Sequence, residues 1–373
     1  MKGSAAAGTA GAALLFRFIV HPFCLSPVEP TPMDVSYFLI SLLNGLSVGL
    51  LLFMLASGLT LIFSMMGVLN FAHASFYMVG AYVAYTITQA VGFWWGLFLA
   101  PPIVGAMGAA FERFALRRVH KFGHVPELLI TFGLSYLILE LVQLVWGRQA
   151  LNFQPPLSLQ GPLFTVIDLP TALQFAWGPP PEICKTDAAA VCTQFPAFRA
   201  FSMGVAMLML VAVWLLLTRT RIGLVIQASL THPDAVESLG HNVPRVFMMV
   251  FGGGTALAAL AGVIGGALRV TEPSMALAVG AVVFAVIVIG GMGSLAGAFV
   301  ASVGLGVIDS FAVGSDSSLA DLFKLVGMSV TPDTFGFVVW SVKMSQVAAI
   351  LPYLLLVLIL IFRPKGLFGT REG

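Results

Sequence analysis

One short polar stretch, THPDAVESLGHNVPR at residues 231–245, gathers Asp, Glu, Arg and two His between two long apolar runs. Pro233 suits the first position of a helix, where its missing N–H costs no hydrogen bond. Asp234 in the first turn complements the helix dipole, and Gly240 stands where a left-handed residue would end the helix. Two helical turns alone in water are not stable. The pattern therefore predicts either a connector lying on the membrane surface or a helix docked on a partner protein.

Polar groups inside apolar runs form a second set of candidates. Asn70 and His73 lie one helical turn apart, with Tyr77 close by, and Glu140 and Asp309 are the carboxylates nearest to the interior of such runs. Polar residues within membrane spans usually face an interior or a cavity. Asn70 and His73 are therefore compatible with a substrate path, and a buried interhelical hydrogen bond is the alternative. For Glu140 and Asp309 the alternative is a position near the membrane interface.

Other chemically active residues give weaker patterns. His120 and His124 have the spacing of a metal pair, but the glutamate of H-E-x-x-H is missing and Gly123 interrupts the helix. We therefore predict no metal site, and no Ser/His/Asp grouping supports hydrolysis. Cys184 and Cys192 are eight residues apart in one polar loop. A local disulfide is plausible if that loop faces an oxidising compartment, and two free thiols are equally compatible with the sequence.

The composition decides which kind of fold must position these residues. The chain is 59% hydrophobic and 9% charged, whereas an ordinary soluble domain is about half apolar and a quarter charged. A membrane-spanning helix needs about 20 apolar residues. We therefore predict an all-α polytopic integral membrane protein with eight or nine transmembrane helices. The apolar runs lie at 37–63, 69–90, 93–112, 127–147, 201–218, 246–268, 276–291, 293–313 and 346–362.

Basic residues in short loops predict the orientation. Three basic clusters, at 113–121, 219–245 and 363–371, fall on one side when nine spans are counted, and we expect that side to be cytoplasmic. Residues 148–200 and 314–345 then lie outside. The first is a proline-rich insertion without a core large enough to be a domain, and the second is an amphipathic segment on the outer surface.

The first 32 residues are harder to interpret. They are apolar but contain Arg17, and they are compatible with an extra span, a signal-like segment or a stretch upstream of a true start at Met33. We favour the last interpretation. Residues 33–373 would then form a single transmembrane domain with the external insertion 148–200 and the cytoplasmic loop 219–245.

Small residues recur at helical spacing along three runs. They are Gly254, Ala258, Gly262 and Gly266; Gly293, Gly297 and Ala301; and Gly45 and Gly49. Such spacing lets helix backbones approach closely in lipid. Close helix packing is the favoured explanation, although a translocation path would use the same small residues.

The stretch from 219 to 266 closely resembles one family, the branched-chain amino acid permeases of ATP-driven (ABC) importers, of the LivH type. Its motif R-T-x-x-G followed by D-x-x-x-x-x-x-G-x-N-V-x-R-V occurs here at Arg219, Thr220, Gly223, Asp234, Gly240, Asn242, Val243, Arg245 and Val246. Three further segments are similar to the same family: 44–82 with its N-F-A-H run, 284–309 with G-G-M-G-S, and 362–369. The N-terminal extension, the cysteine-containing insertion and His232-Pro233 depart from the family pattern.

The resemblance implies an ABC-importer permease fold and a role as the membrane-spanning subunit that moves leucine, isoleucine, valine or related amino acids. It implies that Asp234, Ala235, Val236, Glu237, Leu239, Gly240, Asn242 and Arg245 form a helix that docks into the ATPase. The substrate path is expected to include Asn70, His73, Tyr77, Glu140, Gly291 and Gly293.

The implied partners are a second permease of the LivM type, two cytoplasmic ATP-binding subunits and a periplasmic substrate-binding protein, in a bacterial inner membrane. No nucleic-acid partner is expected. No cofactor of its own is expected, because the partner binds ATP and G-G-M-G-S lacks the Lys-Ser/Thr of a phosphate-binding loop. Urea, amides and other amino acids remain alternative substrates, and an ion-coupled carrier is a less favoured function.

Overall fold

The computed structural model describes residues 35–369 apart from positions 68, 170–171, 187–189, 232, 316, 319, 322–333 and 335–336. The N-terminal extension, His232 and much of the predicted outer segment 314–345 thus lie outside the described residues. The described helices, in chain order, are α1 (Val35–Met66), α2 (His73–Val91), α3 (Phe93–Phe111), α4 (Arg117–His120), α5 (His124–Trp146), α6 (Ile183–Thr186), α7 (Ala197–Arg219), α8 (Arg221–Thr231), α9 (Pro233–Ser238), α10 (Val243–Leu268), α11 (Met275–Gly290), α12 (Leu295–Gly314), α13 (Phe337–Trp340), α14 (Met344–Val347) and α15 (Leu351–Phe362).

The prediction of an all-α polytopic membrane protein is confirmed. Within the described residues, seven helical segments are long and apolar enough to cross a membrane, and the apolar α11 is shorter, with 16 residues. The remaining predicted span corresponds to α2. A single π-helical turn, Glu112–Leu116, joins α3 to α4. The nine predicted spans therefore all fall on helices, although only seven meet the length and hydropathy expected of a full crossing.

α1 is longer than a membrane crossing requires, whereas α2 begins beside the interior of α1. α1 has 32 residues, or about 48 Å at 1.5 Å per residue, which exceeds the ~30 Å of a hydrocarbon core. Nε2 of His73, the first residue of α2, lies 3.0 Å from the carbonyl oxygen of Leu55 in the interior of α1. Leu55 is eleven residues before the end of α1, about 16 Å along its axis. The chain thus turns back into the bundle before α2 begins.

Glycines hold the central helices in backbone contact. A Cβ at Gly45 or Gly49 of α1 would overlap the backbone of α12, and one at Gly254 or Gly262 of α10 would overlap α1 or α2. Packing is therefore the role of these stripes, as predicted. The placement of Gly293 on the α12 face is wrong. Gly293 lies in the turn before α12, with φ +85°, because Ser294 caps that helix by accepting a hydrogen bond from the Gly297 N–H at 3.0 Å.

The insertion 148–200 contains a three-stranded antiparallel sheet that the sequence analysis did not predict. Its strands are β1 (Pro162–Leu169), β2 (Ala172–Trp177) and β3 (Val191–Pro196), in the order β2-β1-β3. Val166 and Phe195 of the sheet pack with Ile40 of α1 in a small apolar cluster. A disulfide joins Cys184 to Cys192 of β3, with the Cα atoms 5.9 Å apart. The sheet therefore packs on one end of the bundle, which we call the sheet end.

The opposite end of the bundle carries the three basic clusters, and we call it the basic end. Arg117 contacts Pro244 at the start of α10. The segment 363–369 after α15 lies against the end of α11, where Leu367 N–H donates to the Ile289 carbonyl oxygen at 2.8 Å. Gly293, in the turn after α11, lies near Phe63 and Ser64 at the end of α1. These contacts bring the clusters to one end, in agreement with the loop count.

Candidate functional site

The helix predicted between residues 233 and 240 is present as α9. Its end forms two hydrogen bonds of a Schellman motif, in which Gly240 N–H donates to Glu237 O at 2.9 Å and His241 N–H donates to Val236 O at 3.2 Å. Gly240 has φ +87°, a left-handed conformation that glycine adopts without strain. The prediction of a left-handed glycine at this helix end is confirmed.

One side of α9 packs against the rest of the protein, and the other side is exposed. Val236 is buried, with 4% of its surface exposed, whereas Leu239 is 79% exposed. Asp234, Ala235 and Glu237 are also exposed. We call Asp234, Ala235, Glu237 and Leu239 the α9 surface. Of the three apolar residues Ala235, Val236 and Leu239, only Val236 packs inward. The α9 surface thus combines two carboxylates with one large apolar side chain.

The residues on both sides of α9 hold it in place. Thr220, between α7 and α8, accepts a hydrogen bond from the Gly223 N–H at 3.1 Å, and a side chain at Gly223 would overlap carbonyl oxygens at the end of α7. Asn242 caps α10 through Oδ1, which accepts from the Arg245 N–H at 3.0 Å. The motif residues Thr220, Gly223 and Asn242 therefore fix the turns that lead into and out of α8 and α9.

A buried ion pair supports the start of α10, and the sequence analysis missed it. Glu112 is 1% exposed, and Arg117 donates to its two carboxylate oxygens at 3.2 and 2.7 Å. The same guanidinium donates to the Pro244 carbonyl oxygen at 2.6 Å. Glu112 and Arg117 are five residues apart, a spacing that does not suggest an ion pair in an ordinary α-helix. The two side chains meet because the intervening turn is π-helical. The pair links the end of α3 to the loop that carries α9.

His120 and His124 both contact a carboxylate that the sequence analysis did not consider. Glu127 is 1% exposed, forms a short hydrogen bond with His120 Nδ1, and lies 3.5 Å from His124 Nδ1. The His120 ring also contacts the Phe247 ring of α10 edge to face, with 6.5 Å between centroids. The two histidines are thus exposed partners of a buried carboxylate at the basic end.

A cavity of about 370 Å³ lies between α2, α5, α11 and α15. We call it the central cavity. Its walls are mostly apolar and include Phe132, Tyr136 and Phe284, while Asn70 and His73 line it at the start of α2. The volume lies within the ~300–1,000 Å³ of small-molecule sites. Asn70 and His73, which were predicted to lie close together, are thus both beside a cavity of suitable size for a small ligand.

The hydrogen bonds that Asn70 and His73 make leave one donor group and one acceptor atom without a partner among the described residues. Asn70 Oδ1 accepts from the Ala72 N–H at 3.0 Å, so the amide NH₂ is the other group, and its nitrogen has no partner among the described residues. His73 Nε2 lies 3.0 Å from the Leu55 carbonyl, which can only accept, so Nε2 carries the proton. Nδ1 of the neutral ring is then an acceptor, also without a partner in the described part of the chain.

The other residues predicted for the path do not line the central cavity. Tyr77 packs against Gly262 and Gly265 of α10, and Glu140 is exposed on α5. Gly291 lies in the turn at the basic end, where a side chain would overlap Gly369. Gly293 follows in the same turn. Helical spacing brought Asn70 and His73 together correctly, but it could not show which neighbouring helix each of the other residues meets.

The comparison with known families settles how this architecture is classified. A profile of the family described as branched-chain amino acid transport system / permease component matches residues 41–361. The chain belongs to this family. The resemblance noted in the sequence is thereby confirmed, and the chain is a multi-pass membrane transport subunit, a class found in the inner membrane in bacteria.

Named relatives cover nearly the whole chain. The high-affinity branched-chain amino acid transport system permease protein BraD of Pseudomonas aeruginosa is 26% identical over 350 residues, which is 91% of this chain and 98% of BraD. LivH of Escherichia coli strain K12, named as a permease protein of the same kind of system, is 26% identical over 90% of this chain and 97% of its own length. A probable LivH of Methanocaldococcus jannaschii is 26% identical over 81% and 87%. No solved structure shows a significant match.

Proposed function

We propose that this permease is the membrane-spanning subunit of an ATP-driven importer for leucine, isoleucine, valine or related amino acids, and that α9 docks into a cytoplasmic ATPase. The observation that carries the docking proposal is the α9 surface, which is exposed although its helix is anchored. Family membership supports the substrate class, because the relatives are named for branched-chain amino acid transport.

The anchoring of α9 suits a mechanical role. Val236 packs inward, Asn242 caps α10, and the Glu112–Arg117 pair holds the Pro244 carbonyl. A push on the α9 surface therefore passes directly to α10, which contacts α1, α2 and α3. Packed side chains and rigid elements of this kind can carry coupling between distant sites. ATP binding and hydrolysis on the partner would thus shift α10 against its neighbours.

We further propose that a second permease of the same kind covers the exposed face of α5. Glu140 is exposed on this helix, six residues before its end at Trp146. Carboxylates within membrane spans usually face protein or a water-filled cavity, so a protein neighbour is favoured over lipid. Two ATPases and an external binding protein would complete the importer.

The central cavity is the proposed substrate route. Asn70 offers a free amide donor for the substrate carboxylate, and His73 Nδ1 offers an acceptor for its ammonium group. Aromatic and aliphatic walls suit an apolar side chain. Because none of the described residues that line this cavity is Asp, Glu, Lys or Arg, we expect it to accept small amino acids without a net charge.

The cavity can be tested by removing the free donor of Asn70 while keeping its turn. In Asn70→Asp, Oδ1 can still accept from Ala72 N–H, but the amide donor is lost. We expect ATP-dependent leucine uptake by the reconstituted complex to fall roughly tenfold or more, since an unsatisfied buried group costs ~1–3 kcal/mol. Ser135→Ala, which removes a hydroxyl bonded to its own helix, is the matched control. Full uptake by Asn70→Asp would refute the assignment.

The docking helix can be tested at its end. Gly240→Val should weaken α9 by ~1–2 kcal/mol, because a branched side chain is strained in the left-handed region. Nothing lies within 4 Å of a Cβ at this position, so backbone conformation is the only cause. We expect reduced ATP-driven uptake with normal membrane insertion. Gly240→Asn tolerates the same conformation and should transport almost normally. Wild-type uptake by Gly240→Val would count against the docking role.

A further inference from the structure

A second cavity, of about 570 Å³, lies at the sheet end of the bundle. It is bounded by the start of α1, the start of α7, the end of α12 and strand β3. We call it the sheet-end cavity. Among the residues that line it are Arg199 of α7 and Asp309 of α12, one basic and one acidic. Neither residue lines the central cavity, so the sheet-end cavity is a separate site.

The two charged groups are not paired with each other. Arg199 donates a short hydrogen bond to Oδ1 of Asn44, which also lines the cavity. Asp309 makes no hydrogen bond or ion pair within 4 Å among the described residues, although Arg269 at the end of α10 interacts electrostatically with both Asp309 and Arg199. Both side chains are only half-buried. The cavity therefore presents two opposite charges that a ligand can reach.

Two opposite charges that line one cavity suit a zwitterion. A guanidinium binds a carboxylate through parallel hydrogen bonds, and a carboxylate accepts from an ammonium group. Ile40, Val48 and Val313 supply apolar surface beside the charges. The hydroxyl of Tyr37, which also lines the cavity, is buried and has no partner in the described part of the chain. The lining thus matches an amino acid with free ammonium and carboxylate groups and an apolar side chain.

We propose that the sheet-end cavity is a substrate-recognition site of the permease itself, in which Arg199 binds the carboxylate and Asp309 the ammonium group of an apolar amino acid. The proposal rests on the proposed function for the choice of amino acids. The site lies at the end of the bundle opposite α9. A substrate released there would meet the sheet-end cavity before the central cavity. Arg199 and Asp309 would thus recognise both charges of the zwitterion when it enters.

Strand β3 gives the site a wall that depends on the insertion. Val191 and Thr193 line the cavity on either side of Cys192, which the disulfide ties to Cys184. The sheet in turn packs on α1 through Ile40, itself a lining residue. The insertion therefore shapes a binding site in addition to covering the end of the bundle.

Ligands that lack one charge separate the two roles. The complete membrane complex, in nanodiscs and without the external binding protein, would be titrated with leucine, isoamylamine (no carboxylate) and isocaproate (no ammonium). We expect Asp309→Asn to weaken leucine and isoamylamine binding roughly tenfold while isocaproate binding stays unchanged. Arg199→Gln should weaken leucine and isocaproate binding and spare isoamylamine. Asp168→Asn and Arg148→Gln, at the same end but outside the cavity, are matched controls.

A second measurement leaves both charged residues intact, in case their variants fold poorly. Val313→Cys, in a chain with Cys24→Ser, places an accessible thiol in the cavity lining. Leucine should slow its labelling by a membrane-impermeant maleimide, and isoamylamine or isocaproate should slow it less. Absence of protection at millimolar leucine, or equal effects of Asp309→Asn on all three ligands, would overturn the proposal. ATP-dependent leucine uptake by the same complex would show that the transport function stands even if this site fails.

Discussion

Replacing Gly262 by valine should leave little folded protein in the membrane. Gly262 lies in the interior of α10, and a Cβ there would overlap the carbonyl oxygen of Tyr77 in α2. Overpacking of a well-packed core typically costs ~1–3 kcal/mol. Here the obstacle is backbone, so the two helices must separate, and Ala258 and Gly266 on the same face would lose their contacts as well. The amount of monodisperse protein extracted in mild detergent measures this effect.

Gly253 provides a matched control in the same helix. It is exposed, and nothing lies within 4 Å of a Cβ at that position. Gly253→Val adds the same side chain at the same helix propensity, so we expect yields close to those of the wild-type chain. Equal losses in both variants would show that valine disturbs α10 as a helix. The inferred close contact with Tyr77 would then not explain the result.

Leu239→Asp should abolish ATP-driven uptake while the protein remains folded. Leu239 is 79% exposed, so its removal costs the isolated chain little. In the proposed complex it is the one large apolar anchor of the α9 surface. Loss of a buried interface anchor typically costs ~2 kcal/mol or more, or roughly a thirtyfold weaker interaction. Uptake of labelled leucine into proteoliposomes that contain the assembled complex measures the effect.

Leu157 serves as the control for an exposed leucine away from α9. It is 85% exposed, in the insertion at the sheet end. Leu157→Asp should support uptake close to that of the wild type with the same partners present. If both leucine variants transported equally well, the α9 surface would not be the ATPase contact, even though the permease assignment would be unaffected.

Local signals explain which parts of the site the sequence predicted. α9 and its glycine end were predicted because proline, an acidic first turn and a C-terminal glycine act within about two turns of chain. Asn70 and His73 were paired correctly for the same reason, since one helical turn separates them. The stripe through Gly262 was interpreted correctly because small residues at spacing four favour close helix contact whatever the partner helix is.

The remaining features depend on contacts between distant segments. Glu140 and Tyr77 lie on apolar helices whose spacing does not show which side meets a cavity, and both point elsewhere. Arg117 reaches Glu112 across a π-helical turn and Pro244 across 127 residues, which no local pattern indicates. Arg199 was not a candidate at all, because its proposed role follows from lining the same cavity as Asp309 of another helix. The sheet escaped prediction because its strands, of six to eight residues, lie within a proline-rich loop.

A copurification tests most directly whether the α9 surface is where the ATPase docks. The tagged chain would be purified in mild detergent from its native membrane, as wild type and as Asp234→Lys/Glu237→Lys, which reverses both exposed carboxylates. We predict that an ATPase and a second permease copurify with the wild type, and that the variant loses the ATPase while it keeps the second permease. A wild-type chain that is purified alone under conditions that preserve other complexes, or a variant that retains the ATPase in full, would contradict the account.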